Sequence, residues 1–124
     1  MYKILAVDDE IAISSILDKF LTKCGYQVIV ANGGEQAIKI ISEHKDIDLM
    51  VLDIKMPGVS GVDVLHVLRK LNNNIPVIIL SGSIGIQENV EILNDLGYDE
   101  ERVLYKPIDL NELLMRIKQT LKEV

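Results

Sequence analysis

The chain of 124 residues has one cysteine, no tryptophan, one phenylalanine and three prolines. The lone Cys24 cannot close an internal disulfide, which agrees with a reducing cytoplasm. Its expected place is the inner face of a first helix. Basic residues are also few: 13 Lys and Arg against 19 Asp and Glu give a formal net charge of -6. Such a balance disfavours direct nucleic-acid binding, because contact with phosphates rests on Lys and Arg neutralising backbone charge. No apolar run approaches the length of a membrane span. The opening MYKILAVDDE has neither the apolar length nor the small-residue cleavage site of a signal peptide. A cytoplasmic domain is expected, one that meets a protein, a metal or a small molecule.

What is present is an ordinary globular balance, 48% hydrophobic and 26% charged. At 13.9 kDa residues 1–124 fit a single domain that can bury a core without disulfides or structural metals. Short β-branched runs alternate with segments of helical period along the whole length, the pattern of βαβ units around a parallel sheet. Strands are expected at Lys3 to Val7, Gln27 to Val30, Leu49 to Leu52, Pro76 to Leu80 and Arg102 to Tyr105.

Between them, Ile13, Ile16, Leu17, Phe20, Leu21 and Cys24 form one stripe, and Gly25 stands where a helix C-cap belongs. A second helix over about Gly34 to His44 buries Ala37, Ile38 and Ile41 by the same period. A third, after Gly61, offers Val64, Leu65, Leu68 and Leu71 before Asn72-Asn73-Asn74 ends it with turn chemistry. A fourth, about Ile86 to Leu96, carries Val90, Leu93 and Leu96 and stops at Gly97. In the last helix Asp109 is placed as N-cap, with Glu112 three residues later in a capping-box pattern. Its apolar stripe is Leu110, Leu113, Leu114, Ile117 and Leu121.

Five strands each followed by a helix make an α/β fold: a doubly wound five-stranded parallel sheet of order 2-1-3-4-5, flavodoxin-like. In that order strands one and three are neighbours at the switch point, where such sheets bind ligands beyond the strand C-termini. Asp8 and Asp9 thereby come beside Asp53, which ends the apolar run of VLDIKMPG. Three carboxylates at one edge raise one another's pKa, so a positive charge is required among them. A hard divalent ion such as Mg2+ suits an all-oxygen site and leaves room for waters and a phosphate. Lys106, before Pro107, projects at the same edge as a second cation, and Ser81 ends strand four with a hydroxyl.

Asp8, Asp9, Asp53, Ser81 and Lys106, with Asp53-Ile54-Lys55-Met56-Pro57-Gly58 and Lys106-Pro107, resemble the receiver domain of two-component response regulators. The resemblance covers essentially the whole chain. It implies that Asp53 is the phosphoacceptor for a sensor histidine kinase or a histidine phosphotransfer protein. It also implies Mg2+ (or Mn2+) held by Asp9, Asp53 and the backbone carbonyl of Lys55, with Asp8 acting through a water. Lys106 and Ser81 would bind phosphoryl oxygens, with Gly82 keeping the approach open. Lys55 and Ser83 occupy positions that modulate phosphoryl lifetime, and Met56, Pro57, Gly58 and Gly61 look like the loop after the phosphorylation site. The domain would then be a phosphoacceptor switch, catalysing only its own phosphorylation and slow dephosphorylation. Its implied partners are an output domain or effector protein and a phosphorylation-dependent second copy of itself. Membrane contact is not implied.

Two departures from the family's pattern stand out. The aromatic residue usual three positions before the lysine is Val103 here, and Tyr105, on the same side of the strand, is the candidate to replace it. The stretch from Gly97 to Glu101 is longer than the family's common loop. Other readings fit less well. Acids favour the first turn of a helix, a role that suits Glu10 better than Asp8 and Asp9. A phosphohydrolase with an aspartate nucleophile would want a second aspartate where Lys55 stands. A nucleotide- or flavin-binding domain would want a Gly- or hydroxyl-rich loop after strand one. A receiver-like interaction module that works without phosphate is the remaining alternative. His44 and His66 lack paired ligands and are expected at the surface.

Overall fold

A computed structural model describes residues 1–82, 91–98 and 102–122. The five strands are β1 (Lys3–Val7), β2 (Gln27–Ala31), β3 (Leu49–Asp53), β4 (Val77–Ser81) and β5 (Val103–Tyr105). They form one sheet in the order β2-β1-β3-β4-β5, every pair parallel. The helices are α1 (Ile11–Lys23), α2 (Gly34–Glu43), α3 (Gly61–Lys70), α4 (the described turns at 91–95) and α5 (Leu110–Leu121).

β3 and β4 are buried at every position, as parallel strands covered on both faces must be. Alternate residues feed two cores. Leu5, Val7, Met50, Leu52 and Ile79 pack with Ala37, Ile41, Val64, Leu65 and Leu68 on one face. Ile4, Ala6, Val51 and Leu80 pack with Leu17, Leu21, Leu113 and Ile117 on the other. α2 and α3 therefore cover one face, and α1 and α5 the other.

Local chemistry ends the helices. Gly25, Gly58 and Gly97 take positive φ, and Asn72 does so at 54°, the left-handed conformation that closes a helix or turn. Asn73 Oδ1 then accepts from the Ile75 amide on the way into β4. Asp109 caps α5, its side chain accepting from the amides of Asn111 and Glu112, while the Glu112 carboxylate pairs with Arg116 at 3.3 Å. A full capping box occurs instead at α3, between Ser60 and Asp63.

Several expectations need correction. Cys24 is exposed as the C-cap of α1, because the helix ends one residue before its side chain could turn inward. Ile16 and Leu71 are also exposed: Ile16 lies at the edge of the stripe, and Leu71 follows the last residue of α3. β5 starts at Val103, Arg102 belonging to the turn before it. Leu93 is buried as the fourth-helix reading requires. The rest of that reading, residues 86–90 with Val90, lies outside the described residues, as do Ser83 and residues 99–101.

Candidate functional site

Register brings the acidic residues together. Val7 pairs with Leu52 across β1 and β3, so the next residues of both strands, Asp8 and Asp53, leave the sheet side by side. Both are buried. The ladder continues past Asp53, the Ile54 amide donating to the Leu80 carbonyl at 3.0 Å. Carboxylate oxygens of Asp8, Asp9 and Asp53 all lie within 4.8 Å of one another.

Lys106 supplies the positive charge. Its Nζ stands 3.1 Å from Asp8 Oδ2, 3.3 Å from Glu10 Oε1 and 3.5 Å from Asp53 Oδ2. Parity along the strands explains the reach. Leu104 faces the α1 and α5 layer, so Lys106, two residues on, emerges on that side with Asp8 and Asp53. Ser81 has the opposite parity, two residues beyond Ile79 of the other core. Its hydroxyl donates to the Gly82 carbonyl at 2.8 Å. Ser81 is thus buried at the expected strand end, with its hydroxyl bonded to the carbonyl of the next residue.

Glu10 occupies the N-cap position of α1 but its side chain makes no capping bond; it turns to Lys106 instead. The capping role expected for it is corrected, because a cation within reach outweighs an exposed backbone N–H. The Lys55 amide donates to Asp53 Oδ1 at 3.3 Å, and Gly61 closes the loop by donating to the Ile54 carbonyl at 3.0 Å. A Cβ at Gly61 would stand 2.6 Å from Ile54 Cα and strike the Asp53 carbonyl. At Gly82 it would meet nothing within 4 Å among the described residues.

Burial, then the neighbouring charge of Asp8, push the Asp53 carboxyl up to about 7, against the pull of Lys106. Burial opposes the charge on Lys106, but the carboxylates of Asp8, Asp53 and Glu10 more than offset it and hold its pKa above the ordinary lysine value. Asp8 Oδ1 accepts from the Glu10 amide at 2.9 Å. Asp8 Oδ2 is buried with no hydrogen-bond partner among the described residues, the Lys106 ammonium standing 3.1 Å from it as an ion pair. A buried carboxylate oxygen in that condition, inside an all-oxygen cluster, fits a hard divalent cation.

The β4–β5 ladder places Tyr105 opposite Ser81 and Val103 opposite Ile79. Val103 is core and Tyr105 is 48% exposed. The aromatic residue paired with Ser81 across the ladder is therefore Tyr105. His44 and His66 are exposed, as expected.

Sheet order, carboxylate cluster and strand-end lysine define a flavodoxin-like domain of the receiver type. The chain belongs to the response regulator receiver domain family, whose model matches residues 4–118. It is 39% identical over 122 residues to the transcriptional regulatory protein CpxR of Escherichia coli, covering 98% of this chain and 50% of that protein. With the response regulator MprA of Mycobacterium leprae it shares 37% identity, over 97% of this chain and 51% of that one. The chain thus spans about half the length of these relatives. Among solved structures, the Francisella response regulator 1452 receiver domain superposes with a TM-score of 0.85 at 33% identity, over 98% of both chains. The response regulator TrrA of Thermotoga maritima, in complex with Mg2+-BeF, gives 0.81 at 32% identity, over 97% of this chain and 99% of that one. This is a two-component signalling domain, and its family supports a phosphorylation-dependent role. Among the described residues no helix is long and apolar enough to cross a membrane.

Proposed function

We propose that residues 1–124 form a single cytoplasmic switch domain in which Asp53 accepts a phosphoryl group from a histidine kinase, a histidine phosphotransfer protein or a small phosphodonor. The observation that carries this reading is the buried Asp53 carboxylate, set between Asp8, Asp9 and Lys106 at the switch point of the sheet. A carboxylate attacks an anionic phosphoryl group slowly unless charge is neutralised and attack is in line. An Asp53 oxygen forms the new bond to phosphorus as the bond from phosphorus to the imidazole nitrogen breaks. The electron pair leaves on that nitrogen. Water later attacks the aspartyl phosphate and releases inorganic phosphate, so the domain acts on itself rather than turning over an outside substrate.

Lys106 and Ser81 bind phosphoryl oxygens in this reading, Ser81 after its hydroxyl leaves the Gly82 carbonyl. Asp9, Asp53 and the Lys55 carbonyl would hold Mg2+ (or Mn2+), with Asp8 acting through a water. When bound, the cation neutralises phosphoryl charge. The Mg2+-BeF complex of TrrA supports this assignment. Gly82 leaves the approach open, Lys55 and Ser83 tune phosphoryl lifetime, and Tyr105 stands in for the aromatic partner absent at Val103.

The added dianion shifts a pre-existing equilibrium around β4, β5, α4 and α5. An output domain or effector protein, or a second phosphorylated copy, reads that shift. The acidic balance leaves nucleic-acid binding to such a partner. Incubation with acetyl phosphate and Mg2+ followed by intact mass tests the reading. One phosphoryl group is expected on the wild type and none on Asp53→Asn. No added mass, under conditions that label a control receiver, would favour an interaction module that works without phosphate.

A further inference from the structure

The turn between β2 and α2 touches both loops that carry the carboxylates. Asn32 Nδ2 has two hydrogens to donate. It lies 3.2 Å from the Asp8 carbonyl and 2.9 Å from Ser14 Oγ, donating to both. Ser14 is buried in the first turn of α1, its hydroxyl donating to the Ile11 carbonyl at 3.1 Å. The Asn32 backbone N–H in turn donates to Gln36 Oε1 at 2.8 Å. Two residues on, Gly34 lies so close to the loop after Asp53 that a Cβ would stand 2.6 Å from Val59 Cγ1 and strike the Val59 carbonyl.

We infer that Asn32 is a positioning residue for the divalent-ion site: its side-chain amide fixes the peptide plane from which the Asp9 carboxylate departs. This inference rests on the metal reading above. The Asp8 carbonyl and the Asp9 amide belong to one rigid peptide unit. Fixing that carbonyl from Asn32 therefore sets the direction in which Asp9 leaves the chain. The Asp8 amide is already tied to the Ala31 carbonyl at 3.1 Å, so β2 and its turn hold the acidic pair at two successive peptide units. Gly34 sets the same turn against the loop after Asp53, so one element spaces the two ligand-bearing loops. Groups one step behind a metal ligand orient it, and their loss commonly weakens binding without abolishing it.

Mg2+ titration by calorimetry at about pH 8 tests this on the whole domain. Asn32→Ala and the similarly sized Asn32→Leu both lose the donors, and each should raise the Mg2+ Kd about five- to tenfold. Labelling by acetyl phosphate at saturating Mg2+ should stay within about twofold of wild type, since the nucleophile itself is untouched. Ser14→Ala keeps the Asn32 to Asp8 bond and should leave the Kd within about twofold. An unchanged Kd in both Asn32 variants overturns the inference, even if their melting temperatures fall. So does a loss in Ser14→Ala equal to that in Asn32→Ala, which would assign the effect to α1 packing. Failure of the wild type to bind Mg2+ overturns the metal reading and this inference with it, and the wild-type titration alone identifies that outcome.

Discussion

Lys106 and Asp8 meet at 3.1 Å across the mouth of the sheet, the lysine partly open to solvent and the aspartate fully buried. An ammonium at the end of β5 thus holds together a cluster built from β1 and β3. Removing one partner of such a group leaves the other charges buried and unpaired, which costs more than the pair contributes. Lys106→Met should therefore destabilise the metal-free domain by about 1–3 kcal/mol near neutral pH. The loss should shrink in acid, where the carboxylates protonate. Urea unfolding of both proteins across pH checks it, and an equal loss at all pH values would assign the effect to packing.

Asp53 sets a second pH dependence. Its folded pKa of about 7 lies above the ordinary 3.8, so ionisation is harder in the folded state than in the unfolded one. The stability associated with the neutral carboxyl is complete below about pH 4 and is lost as pH rises through about 7. Asp53→Asn should be more stable than metal-free wild type by about 2–4 kcal/mol at pH 8, with the gap closing toward pH 4. Denaturant midpoints measured at both ends of that range decide it.

Mg2+ bound as proposed would compete with the same proton. Affinity for Mg2+ should fall by up to about tenfold per pH unit below 7, and binding there should release about one proton. Calorimetry in two buffers of different ionisation enthalpy counts that proton. Above pH 7 saturating Mg2+ should restore the stability that ionised Asp53 removes, through its preference for the folded state.

Gly61 and Gly82 flank the site but differ in space. A Cβ at Gly61 would meet the backbone of Asp53 and Ile54, which cannot rotate aside, whereas one at Gly82 meets nothing within 4 Å among the described residues. Gly61→Ala should cost about 2–3 kcal/mol of stability, and Gly82→Ala should stay within about 0.5 kcal/mol. Equal losses in thermal or urea unfolding would contradict the stated packing.

Val103 and Tyr105 separate core from surface on one strand face. Val103→Ala removes buried methyl groups and should cost about 1–2 kcal/mol, while Tyr105→Ala should change stability by less than about 0.5 kcal/mol. If Tyr105 works with Ser81, its ring resonances should shift on adding beryllofluoride with Mg2+, and Tyr105→Ala should keep phosphoacceptance while weakening the response of β4 and β5 amides.

Much of this was legible in the residues. The strand order followed from alternation of β-branched runs and helical stripes, and with it the meeting of Asp8, Asp9 and Asp53, because parallel strands of similar length end together. Lys106 followed from its place after β5. Other features were hidden. Asn32 gives no signal, since an Asn before two glycines reads as turn chemistry whether or not its amide reaches another loop. Glu10 misled because an acid before a helix resembles a cap, and only the approach of Lys106 from 96 residues away redirects it. Cys24 and Leu71 misled because the period of a helix does not say where its last turn stops, and Ile16 because the period does not say how wide the buried stripe is.

Sequence alone determined the elements, their order and the chemistry brought to one edge, since period and turn residues act over a few neighbours and topology rules do the rest. Tertiary structure decided which oxygens are buried, which carboxylates Lys106 touches, and that Tyr105 rather than Val103 stands beside Ser81. Those outcomes depend on register between strands distant in the chain, where a shift of one residue moves a side chain to the opposite face.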